Sequence, residues 1–303
     1  VQRCVQELAS ESGAQRLCIR SQRPQKLLCE VLLHFVKIST ANQDPALQDC
    51  LAALREILQL VNLDSLIDFL LHREIPRLCL TVGLTDLLTA MLIPSCAQRM
   101  SASEWSSLLG ALESESSKCR ASSLCIVMEA MQHARAECIA QISTQFHQAV
   151  KETLLRGSSE LAPTDLYVLL GKINEQKHVE ADFWDKEGAD SQTIFSGACA
   201  AGNLHLVEAL WDLNLVRDPN RVQSDQTTAL MQAVMCGSTY VVQWFCNHAP
   251  GPTLMSFKYV HPLQGSILDI APKSDSGMYD LLKRKIIKLD DSKDTPKRFA
   301  NTI

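Results

Sequence analysis

Aromatic residues make up only 5% of this 303-residue chain, and no apolar run is long enough to cross a bilayer. The longest, Leu80–Pro94, is interrupted by Thr81, Gly83, Thr85, Asp86 and Thr89. No signal peptide opens the chain, so a membrane partner is not expected. Although there are 12 cysteines, no CxxC pair and no Cys/His set with zinc-ligand spacing occurs. Cys29, Cys50, Cys79, Cys125, Cys138 and Cys199 instead sit among apolar residues, where a thiol acts as a small hydrophobe. Asn-x-Ser/Thr sequons are also missing, so the expected setting is intracellular, cytoplasmic and/or nuclear, with no metal or other cofactor. Neither a phosphate loop, a GxGxxG, an HExxH, a GxSxG nor an EF-hand loop is present. The expectation is therefore a non-enzyme with no small-molecule substrate.

Positive charge is scarce too. A formal net charge of -5 and a pI near 5.9 argue against a nucleic-acid partner. The one basic cluster, Lys283–Lys288, is followed at once by Asp290, Asp291 and Asp294, and reads as a solvated helix end. The chain begins with Val, as a piece of a longer protein would.

What the sequence does contain is helical periodicity. In Asp44–Asn62, Asp44 suits an N-cap and Pro45 the first helical position. Leu47, Cys50, Leu51, Leu54, Ile57, Leu58 and Val61 then form one stripe. A similar stripe follows Pro24, through Leu27, Leu28, Val31, Leu32, Phe35 and Val36. Ser101 and Glu104 stand at capping-box spacing, and a long helix pair is expected from Ala121 to Gly157. Strand signals are almost absent. A compact bundle or a superhelical stack of helix pairs would fit. The many medium helices, some apolar nearly all round, favour the stack and resemble armadillo and HEAT repeats.

Near the C-terminus one pattern occurs twice at an offset of 35 residues (Gly202 to Gly237). Asp190 matches Asp225, Thr193 matches Thr228, Phe195 matches Leu230, Ala198 matches Ala233 and Val207 matches Val242. Each match has a physical reason: Thr caps a helix, Ala lets helices approach, and Gly takes the left-handed conformation that ends a helix. In this order the features resemble ankyrin repeats. The Pro that usually follows the Thr is replaced by Ile194 and Ala229, and the usual His by Ser196 and Met231. A third unit is expected around Leu268, Ala271 and Gly277, and a degenerate first one within Thr164–Asp190.

The fold expected is thus all-α: an armadillo/HEAT-like helical solenoid over 1–157, an adaptor at 158–189, ankyrin repeats over 190–288 and a tail at 289–303. The resemblance to ankyrin arrays implies a concave binding face made of hairpin tips and the exposed side of each first helix. Carried over by position, it selects Asp190, Gln192, Ser196 and Ala200, then Asp225, Thr227, Met231 and Met235. Trp211 and Trp244, on the second helices, are expected in the core. Cys199 with His205, and Cys246 with His248, are expected to be core filler and surface imidazole rather than catalytic pairs. The implied function is a protein-interaction scaffold for a peptide or protein partner. The alternative is a substrate-recruiting or regulatory portion of a larger enzyme, such as a ubiquitin ligase, a kinase or a secreted effector.

Overall fold

A computed structural model describes residues 70–71, 74–82, 84–114, 117–157, 161–176, 179, 182–188, 190–248, 254–272 and 276–291. The two stripes at 27–36 and 44–62, with Cys29 and Cys50, lie outside the described residues. What is described is mostly helical, in line with the all-α expectation. It divides into two compact units: residues 70–157 with 171–179, and residues 161–170 with 182–291.

The first unit contains α1 (Ile75–Val82), α2 (Thr85–Met91), α3 (Pro94–Arg99), α4 (Ala102–Ser114), α5 (Ser117–Met131) and α6 (Ala136–Gly157). Helix α4 begins where it does because Ser101 and Glu104 cap each other. Glu104 Oε2 accepts from the Ser101 N–H at 2.7 Å, and Ser101 Oγ accepts from the Glu104 N–H at 3.4 Å. Pro94 opens α3 at a position where its missing N–H is not needed. Helix α4 packs on α1 and α6, and α5 packs on α6 and α2. Their buried residues recur at three and four: Trp105, Leu108 and Leu112 on α4, Leu124 and Met128 on α5, Phe146, Val150 and Leu154 on α6. Burying each stabilises the fold by about 1.5–3 kcal/mol. Cys79 and Cys96 belong to the same core, and burial pushes both thiols up to about 12, which leaves them unreactive.

Helix α7 (Pro163–Asn174) contains the division between the units, after Leu170. The second unit continues through a 3-10 turn (Phe183–Asp185), α8 (Ile194–Ala200), α9 (Leu204–Asp212), α10 (Ala229–Met235) and α11 (Thr239–His248). After these come α12 (Leu254–Lys258), a hairpin of β1 (Val260–His261) and β2 (Gly265–Ser266), α13 (Ile267–Ile270) and α14 (Ser276–Asp291).

Helices α8/α9 and α10/α11 are one backbone unit used twice. Thr193 Oγ1 accepts from the Ser196 N–H at 3.1 Å, and Thr228 Oγ1 accepts from the Met231 N–H at 3.3 Å. Each cap satisfies a donor that the first turn of a helix leaves free. Before each cap comes the same turn. The Gly188 N–H donates to Gln192 O and that of Gln223 to Thr227 O, both at 2.9 Å. After each first helix Gly202 (φ 69°) and Gly237 (φ 72°) take the left-handed conformation, and the next N–H reaches back to the carbonyl of Ala198 or Ala233. Helix α8 packs on α10, and α9 on α11. Phe195, Leu210, Leu230, Val241, Val242 and Phe245 fill the space between.

The third unit departs from the pattern expected of it. Ser266 caps α13 in a box with Asp269, and Ala271 is buried, but α13 has only four residues. Gly277 does not end a helix; it is the second residue of α14 and has no left-handed φ. The left-handed glycine here is Gly265 (φ 87°), in the hairpin. Pro272 explains the break: it cannot continue a helix, and it forces the residue before it out of the helical region, so Ala271 is extended at ψ 133°.

Candidate functional site

In the second unit the three loops that precede the helix pairs are tied edge to edge. The Ser224 N–H donates to Glu187 Oε2 at 3.1 Å, joining the second loop to the first. Tyr259 Oη donates to Gln226 O at 3.0 Å, and His261 Nε2 lies 3.4 Å from Asp225 O, joining the third to the second. His261 Nδ1 accepts from the N–H groups of Leu263 and Gln264, so the proton sits on Nε2 and points at the Asp225 carbonyl. The tips therefore form one row.

The eight residues selected for the binding face divide by burial. Asp190 and Asp225 are exposed, and each carboxylate accepts an N–H two residues on, from Gln192 or Thr227, which shapes the tip. Gln192 and Ala200 are half-buried, and Met235 is 37% exposed. Ser196, Thr227 and Met231 are buried, and their inclusion in an exposed face is corrected. Ser196 Oγ turns back to the Thr193 carbonyl at 3.1 Å, completing the cap from within. Thr227 Oγ1 bonds Asp225 Oδ1 at 2.7 Å and receives Gln232 Nε2 at 2.9 Å. Met231, three residues past the Thr228 cap, points into the core with no exposed surface.

Gln232 was not singled out from the sequence, because its counterpart in the first repeat is Gly197 and the pattern shows no polar residue there. It is buried, donates to both Asp225 Oδ2 and Thr227 Oγ1, and accepts from Gln192 Nε2 at 3.4 Å. The exposed apolar tips were also missed. Val260 is 62% and Leu263 92% exposed on a hairpin that the sequence presents only as a long connection, and Val222 is exposed on the second loop.

Below the tips a small notch separates the first cap from the loop that follows α9. Asp185, Thr193, Ser196, Asp218, Arg221 and Gln223 contribute to its lining. Gln223 is buried, and its Oε1 has no hydrogen-bond partner among the described residues.

The aromatic residues of the second helices cluster. Trp244 is buried and meets Trp211 edge-on at 5.7 Å between centroids, and Trp211 itself is only half-buried. His248 stacks on Trp244 at 4.1 Å, with Nδ1 2.8 Å from the Trp244 carbonyl, so this imidazole faces Trp244. Cys246 is buried, which pushes its thiol up to about 11, and burial raises the Cys199 thiol well above its usual range. His205 is exposed on α9. Among the described residues no group of three His, Cys, Asp or Glu could hold a metal ion, and no helix is long and apolar enough to cross a membrane. No protein-family model matches the chain, and no curated protein matches it.

Proposed function

We propose that the chain is a protein-interaction scaffold that binds a peptide or protein partner along the row of tips in its second unit. One observation carries the reading. Three loops held side by side present Val222, Val260 and Leu263 to solvent beside the carboxylates of Asp190 and Asp225. An apolar side chain that is 92% exposed at a hairpin tip gains from burial only against another molecule. Around it a polar rim supplies direction, an arrangement common to protein interfaces. The tips rest on repeated capped helices, so the surface is held in a fixed shape before a partner arrives, which lowers the cost of binding.

The test is a pull-down from cell extract read by mass spectrometry, with the wild-type chain beside Leu263→Glu and Met235→Glu. Circular dichroism first establishes equal helicity. A partner retained by the wild type and lost from Leu263→Glu supports the reading. The same partners held equally by all three chains would remove the tips from the binding surface.

A further inference from the structure

We infer that Ser224 is a phosphorylation site for a serine kinase that reads an arginine three residues ahead, and that the phosphate unties the second tip from the first. The inference rests on reading the tips as the binding face, and names how that face is regulated. It starts from an unused hydroxyl. Ser224 is exposed on the second tip, and its Oγ has no hydrogen-bond partner among the described residues. Between Arg221 and Thr227 the buried residues are Gln223 and Thr227, so the segment lies open to an enzyme. Arg221, with 45% of its side chain exposed, stands three residues before the hydroxyl. Arginine-directed kinases choose their substrates by charge, with acids placed where that arginine must bind. The same spacing occurs at Arg120 and Ser123 and at Arg156 and Ser159. Ser123 is buried within α5, and Ser159 lies outside the described residues. Among the described residues, then, Ser224 alone joins the spacing to an accessible hydroxyl.

What gives a phosphate there its effect is Glu187. This one carboxylate accepts the Ser224 N–H at 3.1 Å through Oε2 and meets Arg221 at 3.5 Å through Oε1. It is the joint between the first and second tips. A phosphoserine carries a charge of about -1.5 to -2 at pH 7, with three strong acceptor oxygens. Here it stands on the residue whose N–H holds Glu187, so the two anions repel. Arg221 gains a better acceptor, because its planar fork matches a pair of phosphate oxygens. Glu187 loses both contacts together. The ties to the third tip use the carbonyls of Asp225 and Gln226 and involve no carboxylate, so they stay.

The chemistry needs a kinase and Mg-ATP. Ser224 Oγ attacks the γ-phosphorus and forms the new O–P bond. The bond from that phosphorus to the β–γ bridging oxygen breaks, and ADP leaves with the electron pair. The hydroxyl proton passes to the kinase's catalytic aspartate.

The experiment treats the full chain with a purified calmodulin-dependent kinase, of the class that reads this arginine, and Mg-ATP. A free peptide of residues 217–229 is treated alongside. Mass spectrometry locates the phosphate, and NMR of the isotope-labelled chain follows the loops. Phosphate is expected at Ser224 of the wild type and is absent from that position in Ser224→Ala, which keeps the backbone N–H and so the tie. Arg221→Ala should slow the reaction roughly tenfold or more, as loss of a close charge pair does, in chain and peptide alike. Agreement between the two separates recognition from folding. Once Ser224 is modified, the amides of Glu187 and Gly188 should shift with those of Arg221 and Ser224, while the cap amides of Ser196 and Met231 stay in place. A peptide modified while the folded chain is not would overturn the inference, and so would phosphate at Ser159 alone. An unmodified peptide would overturn the role of Arg221. Shifts confined to residues 221–226 would mean that Glu187 keeps its contacts, and would overturn the untying. No binding partner enters this experiment, so its failure is separate from that of the pull-down.

Discussion

The repeat at 190–212 and the repeat at 225–248 have the same backbone, yet they use their first helices differently. Both have an Asp that shapes the tip, a Thr that caps the helix and a left-handed Gly that ends it. Between those fixed points the first repeat buries Ser196, Gly197 and Cys199 where the second buries Met231, Gln232 and Val234. In the first, position 196 closes the cap; in the second, position 231 fills the core and position 232 ties the two repeats together. The shared residues are those that set backbone conformation, and the others are free to follow local packing. A face selected by repeat position alone therefore mixes surface with core.

The sharpest test of that division uses the two methionines of α10. Met231 is fully buried and Met235 is 37% exposed, although both were selected for the same face. Met231→Glu would place a carboxylate in an apolar core and should cost over about 4 kcal/mol or abolish cooperative unfolding. Met235→Glu should change stability by no more than about 0.5 kcal/mol. Urea unfolding followed by circular dichroism reads both. Equal losses would show that the two positions share one environment, and the distinction between core and face on α10 would fail.

The glycines separate the repeats more finely. Each sits at a left-handed φ, so alanine should cost about 1–2 kcal/mol at either. At Gly237 nothing lies within 4 Å of an added Cβ, and the strain of the backbone is the whole cost. At Gly202 the added Cβ would come 3.0 Å from Ser238 Oγ, which bonds the Ala200 carbonyl. Gly202→Ala should therefore lose more than Gly237→Ala in thermal unfolding. A smaller loss at Gly202 would mean that Ser238 yields freely.

Loss of a cap comes next in size. Thr193→Ala and Thr228→Ala should each cost about 1 kcal/mol. Thr193 also bonds Ser196 Oγ, whereas Thr228 makes only the cap itself, so the first should cost the more. Identical losses would show that the hydroxyl pair at Thr193 and Ser196 adds nothing.

Much of this was legible beforehand because it depends on single residues with strong backbone preferences. The capping box at Ser101 and Glu104, the threonine caps and the left-handed Gly202 and Gly237 all follow from local chemistry. The hairpin at Val260–Ser266 was not legible: its strands have two residues each, too short for any alternation to show. Gly277 was misassigned because spacing was extended past Pro272, which resets the chain.

The smallest expected effect concerns what lies against each repeat. Tyr167 Oη on α7 donates to Asp212 Oδ2 on α9 at 2.7 Å, whereas the counterpart of Asp212 in the second repeat is Asn247, which accepts from Gln243 on its own helix. The hydrogen bond to Asp212, with some desolvation and the nearby charges of Asp212 and Glu208, holds the Tyr167 phenol up to about 12. A pKa raised above the ordinary tyrosine value of about 10 means that the contact stabilises the fold fully below pH 10. That contribution fades as the pH rises towards 12, because the phenolate loses its donor and repels Asp212. The pair is largely exposed, so the stability at stake is slight and screened by salt. The titration is more informative than the stability. Following tyrosinate absorbance against pH, Tyr167→Phe should remove the ionisation near 12, and Asp212→Asn should bring that ionisation back towards 10. If the high-pH step survived Asp212→Asn unchanged, Asp212 would not be its cause, and the first repeat would have no latch that the second lacks.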